Sequence, residues 1–338
     1  MPAYAIGVDL GGTNLRIAAV DAMGTVLEKV TTGAQVAKGR DFVVDAMTEA
    51  ILELSDKFAT YGELEGIGIG VPGIIELDTG VVRKSPNLPD WIDYPVREEV
   101  ERRLNTQVIL ENDANVAAFG EKWLGAGRGA DSLCMITMGT GVGGGLVLNG
   151  SIWRGMSGMA GEIGHTSVYP DGVPCGCGSR GCLEQYASAT AIRRMAIEAI
   201  ARGESPELAR AREEDPEFSS RIVHDKAIQG DRTAQAIFRA AGVALGIAIA
   251  NVVNLFNLSF YVIGGGVSSA WDAFAPAMME EVRKRSIVYG ATQPDPDLPR
   301  AKKTIITRAL LGNDAGLYGA ARLPMLQARE REKIELGR

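Results

Sequence analysis

The chain has 338 residues, 46% hydrophobic and 23% charged, with a formal net charge of −7. That length accommodates two domains with cores of their own, and the composition is that of a folded globular protein and not a disordered one. The acidity is broken only by short basic spots such as Arg283-Lys284-Arg285 and Lys302-Lys303, which argues against nucleic acid as a partner, because binding it rests on phosphate neutralisation.

The opening MPAYAIGVDLGG lacks the charged n-region and long apolar h-region of a signal peptide. AIGVDLGGTNLRIAAVDAMGTVLEKVTT predicts a strand, a glycine-rich turn, a second strand over about Leu15 to Val20, a Met23-Gly24 turn and a third strand. Phe42, Met47, Ile51, Leu54 and Phe58 recur at helical spacing and predict a helix from about Asp41 to Tyr61. GIGIGVPG (66–73) reads as a short buried strand stopped by Pro72-Gly73, and VILENDANVAAFGEKWLG (108–125) as strand, turn and helix. After Asp131, SLCMITMGTGVGGGLVLNGSIW again gives strand, glycine turn and strand.

The polar stretch from 201 to 220, carrying Pro206 and Pro216, reads as a surface excursion. The apolar run from Ala240 to Phe260 is interrupted by Asn251, Asn254 and Asn257, too closely for a bilayer span, and predicts a buried helix leading into a strand. No membrane partner is expected, and the protein reads as cytoplasmic, where structural disulfides are rare. Alternating strands and helices define an α/β chain. The repeated strand–turn–strand unit suggests two related lobes, an N-terminal one over 1–118 and a larger one over 119–312, with a final helix at about 313–325 returning to the first. A cleft between two lobes is a natural ligand site.

Asp9-Leu10-Gly11-Gly12-Thr13-Asn14 lies between two strands. It reads either as a plain hairpin turn or as a phosphate cradle, in which backbone N–H groups and Thr13 close on phosphate oxygens while Asp9 holds Mg2+ through water. Gly139-Thr140-Gly141-Val142-Gly143-Gly144 formally matches the dinucleotide pattern GxGxxG, with Glu162 downstream. A strand follows it where that fingerprint needs a helix, so the nicotinamide-dependent oxidoreductase reading is weak. A third glycine run, Gly264-Gly265-Gly266, also ends an apolar strand. Three such turns at strand ends point to a shared nucleotide site.

In the turn Glu111-Asn112-Asp113, Asp113 reads either as the cap of the following helix or as a carboxylate that accepts a proton from a substrate hydroxyl. Phosphoryl transfer asks little more of a protein than such a base, positioning, and cations on the phosphates. Asn112 would orient the substrate, and Glu111, by strand alternation, faces the other way.

His165, Cys175, Cys177 and Cys182 form H-x9-C-x-C-x4-C. A Cys₃His set is a closed structural zinc site with no open position for activated water; free thiols or a redox pair are the alternatives. Such a site would pin the loop bearing Glu162, His165 and Glu184 as a rigid wall of sugar-hydroxyl ligands. His165 could ligate with one ring nitrogen and meet substrate with the other. Cys134 reads as core and His224 as a surface residue without a partner.

DLGGTN, GVPG with PNLPDW, END, GTGVGGG, GEIGH, CGCGSRGCLEQYAS and YVIGGGVS occur in the order seen in the ROK family (repressors, open reading frames and sugar kinases), which the chain resembles from about residue 4 to 322. The resemblance implies the two-lobe actin-like, ribonuclease-H-like ATPase fold, and phosphorylation of a hexose 6-hydroxyl with magnesium ATP. It aligns Asp113 with the catalytic base. Asn87, Asn112, Glu162, His165 and Glu184 fall on sugar-binding positions, Thr13 and Thr140 on phosphate contacts, and Gly265, with Gly266 beside it, in the adenosine loop. His165, Cys175, Cys177 and Cys182 match the structural zinc.

Family repressors carry a helix-turn-helix region before the first glycine loop. Here that loop begins at Asp9, so the resemblance implies the enzyme. PNLPDWIDYP and GCLEQYASATA are most similar to the glucokinase branch, although kinases for N-acetylmannosamine, mannose or fructose share most of these ligands. A homodimer or larger homo-oligomer is the family expectation. Asn257 departs from the proline frequent before the family's strand, with no functional effect expected. A non-catalytic sugar sensor is the rival reading from another class.

Overall fold

The apolar opening folds as β1 (Ala3–Leu10), β2 (Asn14–Asp21) and β3 (Val26–Gly33), consecutive antiparallel neighbours. This computed structural model describes residues 2–297, 299 and 302–335. Helix α1 (Arg40–Phe58) follows, burying Met47, Ile51 and Leu54 of the stripe seen in the sequence together with Val43 and Val44, while Phe42 is exposed and Phe58 partly buried. Next come β4 (Glu63–Val71), a hairpin of β5 (Ile74–Glu76) and β6 (Val81–Lys84), helix α2 (Val96–Leu104), β7 (Ile109–Asn112) and α3 (Asp113–Trp123). The first sheet has the order β3-β2-β1-β4-β7, with β4 parallel to both β1 and β7.

The chain continues through β8 (Leu133–Met138), β9 (Val142–Leu148) and β10 (Ser151–Ile152) to α4 (Glu184–Ala187) and α5 (Ala189–Ala201). Beyond these lie α6 (Pro206–Glu214), α7 (Ser220–Ile228), α8 (Arg232–Phe256), β11 (Phe260–Gly264), α9 (Trp271–Arg285), α10 (Ile287–Thr292), β12 (Ile305–Arg308) and α11 (Ala315–Glu335). β11 pairs in parallel with β8 on one side and β12 on the other.

Two compact units result. One comprises Met1–Asp131, Gly145–Gly161 and Asn313–Arg338, the other Ser132–Gly144 and Glu162–Gly312. The division after Asp131 falls later than the boundary near 118 read from the sequence. The reason is that α3 packs against α11: a Cβ on Gly120 would lie 2.0 Å from the Ala315 carbonyl oxygen.

β4 shows how a glycine-rich strand serves two faces. Ile67, Ile69 and Val71 are buried in the main core of the first unit with Ile6, Val8, Met47 and Ile51. Their alternates, Gly66, Gly68 and Gly70, face α11 and α3: a Cβ on Gly68 would sit 2.0 Å from the Ala320 carbonyl oxygen, and one on Gly70 2.5 Å from a Val116 methyl. Only a strand without side chains on that face lets the helices approach so closely. Gly68→Ala is expected to destabilise the protein by about 1–3 kcal/mol, the usual cost of overpacking, read as a lower urea midpoint; an unchanged midpoint would mean α11 lifts off β4 freely.

Two sequence readings are refined in the second unit. The stretch 201–220 is mostly exposed, as a surface excursion is, but it is not without regular structure. Ser205 caps α6 by accepting from the Leu208 N–H at 3.0 Å, Pro206 stands at its first turn, and Leu208, Ala211 and Phe218 are buried. His224 is not a partnerless surface residue either, since its ring lies half-buried and edge-on to Phe238, 5.4 Å between centroids.

The long apolar run is, as read, a buried helix leading into a strand. Among the described residues α8 alone is long and apolar enough to cross a membrane, and most of that stretch is buried within the protein. Its asparagines have local uses. The Asn254 Oδ1 accepts from the Ser286 hydroxyl at 2.8 Å. Asn257 ends the helix at φ 48°, a left-handed conformation asparagine tolerates and proline does not.

Candidate active site

Register places the first group of candidate residues. Asp9 of β1 is level with Gly70 of β4, and Gly70 with Glu111 of β7. The Asp9–Asn14 turn and the Asn112-Asp113 turn therefore emerge at the carboxyl ends of parallel strands in one sheet, where open α/β sheets bind ligands. The Asp9 carboxylate is paired with Arg16 at 3.1 Å. Burial pushes its pKa up from the ordinary value, the Arg16 guanidinium opposes that, and the Asp314 charge adds to the rise. The Gly11 N–H donates to the Asn14 carbonyl at 2.8 Å, so Gly11 closes the turn as a hairpin does. Thr13 is exposed, and Gly12 lies against Asn87: a Cβ on Gly12 would be 3.0 Å from the Asn87 Cβ.

Asn112, not Asp113, caps α3. Its Oδ1 accepts from the Ala114 N–H at 2.9 Å and the Asn115 N–H at 3.2 Å, and its Nδ2 donates to the Gly73 carbonyl at 3.3 Å. The capping alternative for Asp113 therefore passes to its neighbour. Asp113, half-buried in the first helical turn, accepts from the Ala114 N–H at 2.9 Å. Glu111 is fully buried, and its Oε2 accepts from the Arg154 Nε at 2.6 Å. Strand alternation turned Glu111 away from the site, and nothing in the sequence marked Arg154. The available signal was a charged residue inside an apolar strand, which must find a partner.

The second unit gathers the other group. The Gly139-Thr140-Gly141 turn follows β8 and Gly265-Gly266 follows β11, two parallel neighbours, so both turns lie at the same sheet end. Gly265, at φ 81°, is so close to the end of β8 that a Cβ would lie 2.5 Å from the Met138 carbonyl oxygen. The Ala189 N–H donates to the Gly139 carbonyl and the Thr190 hydroxyl to the Thr140 carbonyl, each at 2.8 Å. Glu184 does more than the sequence suggested: its Oε2 accepts from the Val142 N–H at 3.0 Å, tying α4 to the glycine turn. Thr140 is exposed.

His165, Cys175, Cys177 and Cys182 converge, their ligand atoms all within 4.8 Å of one another. The His165 Nδ1 is 3.6 Å from the Cys175 Sγ, and the Cys177 and Cys182 sulfurs are 3.7 Å apart. Zn–S bonds of about 2.3 Å and Zn–N bonds of about 2.0–2.1 Å in a tetrahedron set ligand atoms roughly 3.6–3.8 Å apart, so these four side chains could hold such an ion. Burial, then the neighbouring Cys175 and Cys177, pushes the Cys182 thiol up to about 12, whereas the Ser179 backbone hydrogen bond holds Cys177 below its ordinary value. Three thiols so close cannot ionise together without a cation.

The His165 Nε2 faces the Glu162 carboxylate at 4.0 Å, and both side chains are partly exposed. The loop supports itself as well. The Gly181 N–H donates to the Val173 carbonyl, and a Cβ on Gly181 would strike the Tyr169 carbonyl. Cys134 is fully buried, with its thiol pushed up to about 12 by that burial, consistent with a core residue.

Residues 5–326 match the ROK family, and the chain belongs to it. It is 40% identical over 317 residues to the glucokinase of Thermotoga maritima, covering 94% of this chain and 95% of that one. Against the glucokinase of Halalkalibacterium halodurans it is 38% identical over 331 residues, 97% of each chain. Among solved structures it is similar to a ROK family glucokinase from Streptomyces griseus in complex with glucose and AMPPNP, at 35% identity and a TM-score of 0.77, covering 95% of this chain and 98% of that one. The fold is the actin-like α/β fold of ROK sugar kinases.

Proposed function

We propose that the protein is a hexose kinase acting as a glucokinase, transferring the γ-phosphoryl group of ATP to the 6-hydroxyl of glucose. Asp113 acts as general base on that hydroxyl. Asn87, Asn112, Glu162, His165 and Glu184 bind the sugar. The Gly11–Asn14 turn, with Thr13 and Asn14 presenting polar groups, the Gly139-Thr140-Gly141 turn and Gly265-Gly266 serve the nucleotide, and Asp9 holds Mg2+ through water. Such chemistry needs positioning and charge stabilisation more than covalent participation. A zinc ion held by His165, Cys175, Cys177 and Cys182 orders the sugar-binding loop, and cytoplasmic location suits the reduced thiols this requires.

The observation that carries this reading is the shared row of Asp9, Gly70 and Glu111, from which the phosphate-type turn and the Asp113 turn leave one sheet edge together. The glucokinase names of the relatives support the choice of sugar.

The test is ADP release by the purified protein with glucose, mannose, N-acetylmannosamine and fructose, each with ATP and with polyphosphate. Glucose with ATP is expected to give the highest kcat/KM. Turnover fastest with another hexose would move the assignment within the kinases. Sugar binding without turnover for any pair would replace the enzyme with a sensor.

A further inference from the structure

Glu111 immediately precedes the Asn112-Asp113 pair, and its side chain is 0% exposed. Its Oε1 accepts from the Asn112 backbone N–H and from the Asn115 side-chain Nδ2, both at 3.0 Å. Its Oε2 accepts from the Arg154 Nε at 2.6 Å. The two Oε1 bonds bracket Asp113 in sequence, one just before it and one a half-turn after. Arg154 follows the short β9–β10 hairpin, and its side chain is 42% exposed, so the fixed member of the pair is the carboxylate under the turn.

We infer that Glu111 is the positioning residue for Asp113, with Arg154 as its counter-charge, the pair setting where the base carboxylate stands relative to the substrate hydroxyl. The inference rests on Asp113 being the base. A buried ion pair is a weak source of stability, since a well-packed apolar replacement is often as stable. Fixing a reacting group is a different matter, because a displacement of about 1 Å can cost about a hundredfold in rate. Glu111→Gln keeps the volume but presents an N–H either to the turn's two donors or to Arg154, so one set of bonds must break.

The experiment compares steady-state kinetics of Glu111→Gln, Arg154→Met, Arg154→Lys and Asp113→Ala in the full chain, with thermal melts of each. Glu111→Gln and Arg154→Met are expected to lower kcat about ten- to a hundredfold with both KM values within about threefold of wild type. Arg154→Lys, which keeps the charge, is expected to recover part of the loss seen with Met. A purely structural role would lower the melting temperature without this kcat-selective loss. The inference is overturned if the folded variants keep kcat within about twofold, if the loss lies in KM, or if neither Glu111→Gln nor Arg154→Met folds. Should Glu111→Gln alone fail to fold, the Met and Lys variants decide. A dead Asp113→Ala beside a normal Glu111→Gln removes only this inference, whereas an active Asp113→Ala removes the base itself.

Discussion

Asp113→Asn is expected to lower kcat for glucose phosphorylation by about 10²- to 10⁴-fold, the usual contribution of a general base, while glucose binding, followed by calorimetry, changes only a few-fold. Asparagine suits the test better than alanine, because its Oδ1 can keep the bond that Asp113 accepts from the Ala114 N–H. The helix cap is unaffected, being carried by Asn112. Asp113 does lie in the first turn of α3, where a negative charge contributes about 0.3–1 kcal/mol. A hundredfold rate loss corresponds to about 2.7 kcal/mol of transition-state stabilisation, so the lost helix-end charge cannot account for it. A folded Asp113→Asn protein that turns over at near wild-type rate would end the assignment of the base.

Local features of the fold were legible where one segment carried its own signal. The stripe Met47, Ile51 and Leu54 located α1, the interrupted run near Asn251–Asn257 was assigned to a buried helix and strand, and the four metal-type side chains lie within eighteen positions. Features that depend on distant partners were not. Arg154 meets Glu111 across 43 positions, and no periodicity encodes that pairing. The GIGIG alternation read only as a strand, although its glycine face exists for α11, some 250 residues further on. The stretch 201–220 was legible as surface but not as a helix, because its apolar residues are few; Leu208, Ala211 and Phe218 suffice once Ser205 and Pro206 start the helix. The Asn112-Asp113 turn shows the same limit: composition pointed to a cap and a carboxylate, and only the hydrogen bonds assigned the cap to Asn112.

The second large effect is expected from losing the metal. The purified protein should carry about one zinc per chain, as a closed four-ligand site requires, and Cys177→Ser should carry none. Cys177 is the discriminating choice because it is exposed while Cys175 and Cys182 are buried; its hydroxyl replacement leaves no cavity and buries no polar group. The backbone bonds Val168 N–H to Gly181 O and Leu183 N–H to Thr166 O remain, both near 3 Å, so the second unit should stay folded with a looser loop. Cys182 lies two residues before Glu184, and Glu184 bonds the Val142 N–H, so slack at the sulfur cluster passes through α4 to the glycine turn. Glucose KM is therefore expected to rise by about tenfold or more, the cost of ordering several side chains on binding, with a smaller fall in kcat. Strong chelators should reproduce the effect in the wild-type protein. A zinc-free Cys177→Ser enzyme with unchanged glucose KM would separate the metal from the sugar site, because the chain from sulfur cluster to Glu184 would then carry no constraint.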